Sequence, residues 1–337
     1  MNDIKTGIIG IGGIGALHGE WLEKCGGFSI AALADANEAM RQKATEKFPA
    51  ATFYTEVSAM LQREKLDLIV IASPHFLHAP LAIQCLQAGV NVMVEKPMAT
   101  THADCLAMID AAREAGKSLT VFHNRRLDPW FLAAQSAVQA GKLGPLIRIE
   151  TAWPGRPSGR QKLSWRSYHQ ASGGLLFDFG AHLIDQLLHF ETSEVLSVSG
   201  FQYRPKGEDP ALNEHHAEVH LRFASGTFGQ LTISDLIRVN PHRYLLVGED
   251  ATLQDEWNWN GGNAKIFSGS GEGDYEIEQI AYEKEGVNLS QYHENLRAHL
   301  RDGTPLLVTA ESAARVIQII ESAQISHASG GIPISLH

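Results

Sequence analysis

Cysteine is scarce: Cys25, Cys85 and Cys105 are the only three in 337 residues. They lie far apart, with no Cys-x-x-Cys pair, which argues against a disulfide framework or a cysteine-built metal site. Three reduced thiols in helices or core are expected. Long apolar runs are missing too. No stretch approaches the roughly 20 apolar residues of a membrane span, and Met1 to Lys5 is too polar to open a signal peptide. A positive charge balance is also lacking. Asp and Glu number 38 against 28 Lys and Arg, a formal net charge of −10. Such a chain has no general attraction for nucleic acid or an anionic membrane surface. It shows no internal repeat and no low-complexity segment. These absences leave an ordinary soluble globular protein, expected in the cytoplasm.

What is present fits that class. Hydrophobic residues make up 44% and charged residues 20%, close to globular averages. At roughly 150 residues per domain the length favours two domains. In the first third, short apolar runs (from Thr6, Phe28 to Leu33, Leu66 to Ala72, Val90 to Val94, Leu119 to Phe122) alternate with amphipathic stretches. The latter are Ile14 to Lys24, Asn37 to Lys47, His78 to Gln87 and Thr101 to Ala115. Strands alternating with helices predict an α/β fold with a doubly wound parallel sheet.

After about His123 the pattern changes. A helix is expected from Trp130 to Ala140. Ala217 to Phe223 alternates strictly, Ser225-Gly226 makes a turn, and Phe228 to Ile233 returns as the partner strand. Leu146 to Thr151, Tyr244 to Val247 and residues near Ile266 add strands to a mainly antiparallel sheet with one covered face. Helices are expected at Tyr292 to Arg301 and at Ala310 to Ser326, the second capped by Thr309. The predicted organisation is a first domain of residues 1–122 and a second of 123–337.

Gly10-Ile11-Gly12-Gly13-Ile14-Gly15 fits G-x-G-x-x-G between a predicted strand and a predicted helix, the setting that a dinucleotide pyrophosphate requires. Gly10 serves the tight turn, Gly12 lets backbone approach the pyrophosphate, and Gly15 lets helix and strand pack closely. The helix N-terminus offers N–H groups to the phosphates. Asp35 ends the next apolar run, 20 residues after Gly15, where a carboxylate accepts ribose hydroxyls and repels a 2′-phosphate. This favours NAD over NADP.

Three further stretches complete a pattern. Ser73-Pro74-His75-Phe76-Leu77-His78 and Glu95-Lys96-Pro97 each follow a predicted buried strand. Gly173-Gly174-Leu-Leu-Phe-Asp178-Phe-Gly180-Ala-His182-Leu-Ile-Asp185 is the longest and most specific. With the glycine turn they resemble the Gfo/Idh/MocA oxidoreductases, whose motifs run T-P-N-x-x-H, E-K-P and G-G-x-x-x-D-x-G-x-H-x-x-D. Ser73 and His75 depart from the first of these. Asn124-Arg125-Arg126-Leu127-Asp128-Pro129 is similar to a family segment between domains, and Trp165 to His189 looks most like members acting on cyclitols. The resemblance implies a Rossmann domain followed by an open-faced, mainly antiparallel sheet domain. It also implies oxidation of a secondary alcohol of a sugar or cyclitol, or the reverse, and a homodimer or homotetramer built on the open sheet face.

That reaction releases a hydride and a proton. The cofactor takes the hydride, and the protein must take the proton. His182 is the candidate base, since imidazole titrates near neutrality. Asp178 lies four residues earlier, on the same face if the segment is helical. Lys96 supplies a fixed positive charge for an alkoxide-like transition state and would depress the pKa of His182. The resemblance implies the same three catalytic residues, with Glu95 near the nicotinamide end. Cofactor contacts are expected from Gly10 to Gly15, Asp35, Ser73, Pro74, His75, His78, Glu95 and Lys96. Substrate contacts are expected from Asn124, Arg125, Trp165 and Tyr168, the last two in a loop segment that runs from Trp153 through Arg156, Arg160 and Arg166 to His169 and is expected to form part of the substrate pocket. His215, His216 and His220 invite a metal, but the first two point to opposite faces of a strand, so no metal site is expected. Two alternatives stay open: glycoside cleavage through transient oxidation, and a non-catalytic NAD-binding sensor.

Overall fold

The computed structural model describes residues 3–155, 163–257, 262–269, 273, 275–282 and 289–336. Six short strands form the first sheet: β1 (Ile4–Ile9), β2 (Phe28–Ala34), β3 (Thr52–Tyr54), β4 (Leu68–Ile71), β5 (Asn91–Val94) and β6 (Leu119–Val121). Their order is β3-β2-β1-β4-β5-β6, and each neighbouring pair is parallel. This is the dinucleotide-binding order, with its strand reversal beside β1. All four residues of β4 are buried, as the unbroken run Leu-Ile-Val-Ile requires of a strand covered on both faces. The connecting helices are α1 (Gly13–Cys25), α2 (Met40–Lys47), α3 (Val57–Arg63), α4 (His78–Gln87) and α5 (His102–Ala115). Thr101 caps α5 by accepting the Asp104 N–H at 3.1 Å, and Gly116 ends it in the left-handed conformation.

Among the described residues the second sheet has nine strands. They are β7 (Leu146–Pro154), β8 (Val195–Tyr203), β9 (His216–Phe223), β10 (Phe228–Ser234), β11 (His242–Gly248), β12 (Ala251–Glu256), β13 (Gly262–Gly269), β14 (Tyr275–Tyr282) and β15 (Ile334–Ser335). The order is β14-β13-β12-β11-β7-β10-β9-β8-β15. Among the described residues of this sheet only β7 and β10 pair in parallel; the predicted hairpin of β9 and β10 is antiparallel in register, Leu221 facing Gly229. Ala217, Val219, Leu221 and Phe223 are buried while the residues between them are partly or fully exposed, so one face is covered. The remaining helices are α6 (Pro129–Gln139), α7 (His169–Ser172), α8 (Ala181–Phe190), α9 (Leu289–Asp302) and α10 (Ala310–Ala328). Thr309 accepts the Ser312 N–H at 3.2 Å and caps α10.

The chain divides into two compact units, one of residues 1–123 and 288–317, the other of residues 124–287 and 318–337. The crossing near residue 123 was expected; the return at 288 was not. Its physical reason lies in α9. Arg297 donates to the carbonyls of Cys25 and Gly26 at 2.9 and 2.8 Å, and the Tyr292 hydroxyl donates to the Val121 carbonyl at 2.8 Å. These contacts bind α9 to the first sheet's unit. Cys25, Cys85 and Cys105 are all free thiols. Among the described residues no helix is long and apolar enough to cross a membrane.

Candidate active site

In the first unit the glycine turn leaves β1 and enters α1. Gly10 adopts φ +85°, a conformation that favours glycine, and a Cβ there would sit 2.7 Å from the Ala72 carbonyl oxygen. A Cβ on Gly15 would fall 1.9 Å from the Gly10 carbonyl oxygen, so only glycine lets helix and turn meet. Gly12 and Gly13 differ: a Cβ on either meets nothing within 4 Å. They border open space at the N-terminus of α1, where Gly12 offers no side-chain cap. A pyrophosphate fits there, against backbone N–H groups and the positive end of the helix dipole. Ile11 is buried and Ile14 half-buried; the Ile11 N–H donates to Asp35 at 2.9 Å. Asp35 also accepts the Asn37 N–H at 2.9 Å, so its carboxylate is fixed beside the turn.

Ser73, Pro74 and His75 follow β4, next to the turn. Ser73 and His75 are buried. His78 is fully buried, its Nδ1 2.8 Å from the Pro97 carbonyl oxygen and its Nε2 3.0 Å from that of Ser73. Burial pushes its pKa down despite both carbonyls. Held by these two carbonyls, the His78 ring braces two loops from within.

Glu95 is buried as well. Its Oε1 lies 2.8 Å from His18 Nε2 and its Oε2 accepts the Lys96 N–H at 3.0 Å. Burial pushes the Glu95 carboxyl up, but the hydrogen bond and charge of His18, with Lys96 and His78, outweigh it and leave the carboxyl below its ordinary value. Lys96 itself is half-buried. His18 packs edge-on against Phe122 at 4.5 Å and Trp21 at 5.3 Å. That packing fixes the ring that faces Glu95.

In the second unit Gly173 and Gly174 open the segment that carries Asp178. Both have positive φ, and the buried Glu214 carboxylate accepts the Leu175 N–H at 2.8 Å. Leu176–Gly180 then winds as a π-helix that runs into α8. Such wide turns recur at functional sites. Four residues make about one turn in either helix type, so Asp178 and His182 share a face. Their exposure differs: the Asp178 side chain is 43% exposed while His182 is 4% exposed. His182 lies edge-on to Phe179 at 5.6 Å.

Asp178 lines a cavity of about 280 Å³ with Trp153, Arg166, Phe179, Asn213 and Asp235. Trp153 and Phe179 stack at 3.3 Å, and the Arg125 guanidinium lies 4.7 Å from the Phe179 ring centre. Arg166 faces Asp178 at 3.4 Å. Arg125 is paired with Asp128 at 3.0 Å, whose carboxyl burial pushes up to about 6 against the pull of Arg125. Asp185, last residue of the long motif, is not a cavity residue; it grips Arg126 in a buried two-pronged pair at 2.8 and 2.6 Å.

The expected substrate residues fall in different places. Asn124 and Arg125 start a 3₁₀ turn. Trp165 and Tyr168 are not in the cavity wall; Arg166 and Ser167 between them are. Trp165 stacks under the Arg166 guanidinium at 4.5 Å, and Tyr168 bridges to Leu212. Arg156 and Arg160 lie outside the described residues. Arg166 lies in the loop expected to form part of the pocket, whereas sequence reasoning missed Phe179, Asn213 and Asp235 as cavity residues; adjacency to Asp178 was the available signal for Phe179. The histidine cluster splits as its alternation implied: His215 meets Glu208 at 2.6 Å, while His216 and His220 both meet Glu218. Among the described residues no group of three or more His, Cys, Asp or Glu side chains is placed to hold a metal.

Two family models match this chain. One, described as an oxidoreductase family with an NAD-binding Rossmann fold, covers residues 4–123; the other, the GFO/IDH/MocA C-terminal domain, covers residues 131–254. The chain is 27% identical to scyllo-inositol 2-dehydrogenase (NADP(+)) IolW of Bacillus subtilis, over 97% of this chain and 94% of that one. It is 25% identical to an alpha-N-acetylgalactosaminidase of Shewanella oneidensis, over 87% of this chain and 67% of that one. The structure of the Bacillus subtilis protein YvaA shares the fold, with a TM-score of 0.86 at 24% identity over 100% of this chain and 99% of that one.

Proposed function

Because the chain belongs to the Gfo/Idh/MocA oxidoreductase family, we propose that it is an NAD-dependent dehydrogenase of a secondary alcohol on a sugar, cyclitol or related polyol. Lys96, Asp178 and His182 are its catalytic residues. The observation that carries this reading is the cavity beside Asp178. Its stacked Trp153 and Phe179 offer a face to ring C–H groups, and Arg166 and two carboxylates offer partners to hydroxyls.

NAD, held by Gly10 to Gly15 and Asp35, supplies the hydride acceptor when bound. His182 takes the hydroxyl proton. Asp178 orients the alcohol and supports the imidazolium. The Lys96 ammonium stabilises the negative charge that grows on the oxygen. Glu95, committed to His18 and to the Lys96 backbone, fixes where that side chain begins. Asp35, fixed beside the turn, disfavours a 2′-phosphate. In this reading the enzyme works in the cytoplasm as a homodimer or homotetramer. Its open sheet face, which carries the exposed Phe201 and Tyr203, supports self-association.

A panel of sugars and cyclitols, scored by cofactor absorbance with NAD and with NADP, tests the reading. Reduction of NAD by at least one polyol is expected, with NADP poorer. Lys96→Ala and His182→Ala should each lower kcat by at least about 100-fold while NAD binding, read by fluorescence titration, persists. Near-normal turnover in both variants rules the assignment out. The likeness to an alpha-N-acetylgalactosaminidase favours a second reading, transient oxidation that aids glycoside cleavage. Release of an aglycone without added NAD distinguishes it.

A further inference from the structure

The geometry points to Asp235 as a substrate-binding residue that selects for a second hydroxyl, one on a carbon away from the reacting centre. This inference rests on the dehydrogenase reading above. Asp235 follows β10 and lines the same cavity as Asp178, although its side chain is only 15% exposed. A carboxylate so enclosed is costly unless the fold builds a place for it, and the fold does so from two sides.

The first side is Gly155, another cavity residue. A Cβ there would lie 2.3 Å from Asp235 Oδ1 and 3.1 Å from the Asp235 backbone nitrogen. Gly155 is not among the glycines with positive φ. Its backbone conformation therefore does not call for glycine; the space taken by the Asp235 carboxylate does. The second side is His215. Its carbonyl accepts the Asp235 N–H at 2.9 Å. Its ring stands with Nδ1 3.7 Å from Asp235 Oδ2 and Nε2 2.6 Å from Glu208 Oε1. An imidazole set between two carboxylates holds Asp235 from behind, and His215 is not itself in the cavity wall.

An ionised carboxylate only accepts hydrogen bonds, and its two oxygens have room for about four. A carboxylate here suits the O–H groups of a polyol and repels a carboxylate or phosphate placed at the same point. Asp178 serves the reacting alcohol, and Asp235 serves a further hydroxyl or a neighbouring pair of them. The substrate class this selects is a neutral polyhydroxylated ring. A simple secondary alcohol, or a ring lacking that hydroxyl, is selected against.

The test uses the full chain with NAD, its best substrate from the panel, and the single-deoxy analogues of that substrate. Asp235→Asn keeps size and shape and removes the charge. It should raise KM at least tenfold and lower kcat by a smaller factor, with melting temperature and NAD binding as in the parent. One deoxy analogue should cost the parent enzyme at least tenfold in kcat/KM yet cost Asp235→Asn less than threefold. Gly155→Ala, which displaces the carboxylate without removing it, should raise KM in the same direction. An unchanged KM in Asp235→Asn, or a deoxy penalty equal in both enzymes, overturns the inference and leaves the dehydrogenase reading standing. Calorimetric binding of polyols to the NAD-loaded chain separates the converse. Binding that Asp235→Asn weakens, without turnover, supports Asp235 and sinks the hydride reading; no binding by the parent overturns both.

Discussion

At the scale of single residues, the glycine turn separates two kinds of necessity. A Cβ on Gly15 collides with the Gly10 carbonyl at 1.9 Å, whereas one on Gly12 meets no protein atom within 4 Å. Gly15→Ala should therefore cost roughly 3 kcal/mol or more in folding free energy, read by denaturant unfolding. Gly12→Ala should cost no more than about 1 kcal/mol, the scale of a changed helix cap, while NAD affinity falls sharply because the methyl group enters the space of the pyrophosphate. Equal stability of the two variants contradicts this division. Asp178 and His182 show the limit of residue-level reading. Their four-residue spacing announced a shared helical face, but nothing in the sequence announced that one would be half-exposed and the other buried against Phe179. Burial is set by what packs on a face, and that comes from distant segments.

At the scale of elements, what was legible follows from periodicity. The unbroken run Leu66 to Ala72 and the strict alternation from Ala217 to Phe223 each allow one arrangement, and β4 and β9 adopt it. The glycine turn was legible because backbone geometry there demands particular residues, while the loops after β4 and β5 and the Asp178 segment were legible through their resemblance to the family's motifs. Other elements had no such mark. The π-turn of Leu176–Gly180 starts beside Glu214, which accepts the Leu175 N–H from 39 residues away. The cavity side chains Arg166, Asn213 and Asp235 come from three separated stretches that only the fold collects. The strand β14 carries mostly exposed residues, so it lacks the apolar signal that marks a covered strand.

Arg297 ties helix α9 to the C-terminal end of α1. Arg297 donates to the Cys25 and Gly26 carbonyls, where a cation also meets the negative end of the helix dipole. Arg297→Met keeps the aliphatic stem and removes both hydrogen bonds. A loss of about 2 kcal/mol is expected, measured by denaturant titration. A change below about 0.5 kcal/mol means that the other contacts of α9, the hydrogen bonds of Tyr292, His299 and Arg301 among them, hold it without Arg297.

Stability against pH is a property of the whole molecule, and Asp128 gives it one signed component. Burial raises this carboxyl from an ordinary 3.8 to about 6, with Arg125 opposing. A carboxyl raised in the fold binds its proton more tightly there than in the unfolded chain. Its ionisation thus subtracts stability above about 6, and that loss is recovered as pH falls towards 3.8. Asp128→Asn removes the component. The difference in unfolding free energy between parent and variant should change by on the order of 2–3 kcal/mol across that range, with the parent gaining on acidification. A difference that stays flat shows that Asp128 is not held in this way. Because Arg125 lies over Phe179 in the cavity wall, the same protonation frees its guanidinium from its carboxylate partner.

The return of the chain at residue 288 bears on how the molecule is made. Translation delivers β1 to β6 first, yet the helix that seals α1 emerges only after most of the second sheet. The first unit needs residues 288–317 and the second needs residues 318–337, including the edge strand β15 that pairs with β8. Neither nascent unit has its full set of partners until this last stretch leaves the ribosome. Long loop closures of this kind slow folding. A fragment ended at His123 lacks the Arg297 seal on α1, and a stop codon before residue 288 injures both units at once.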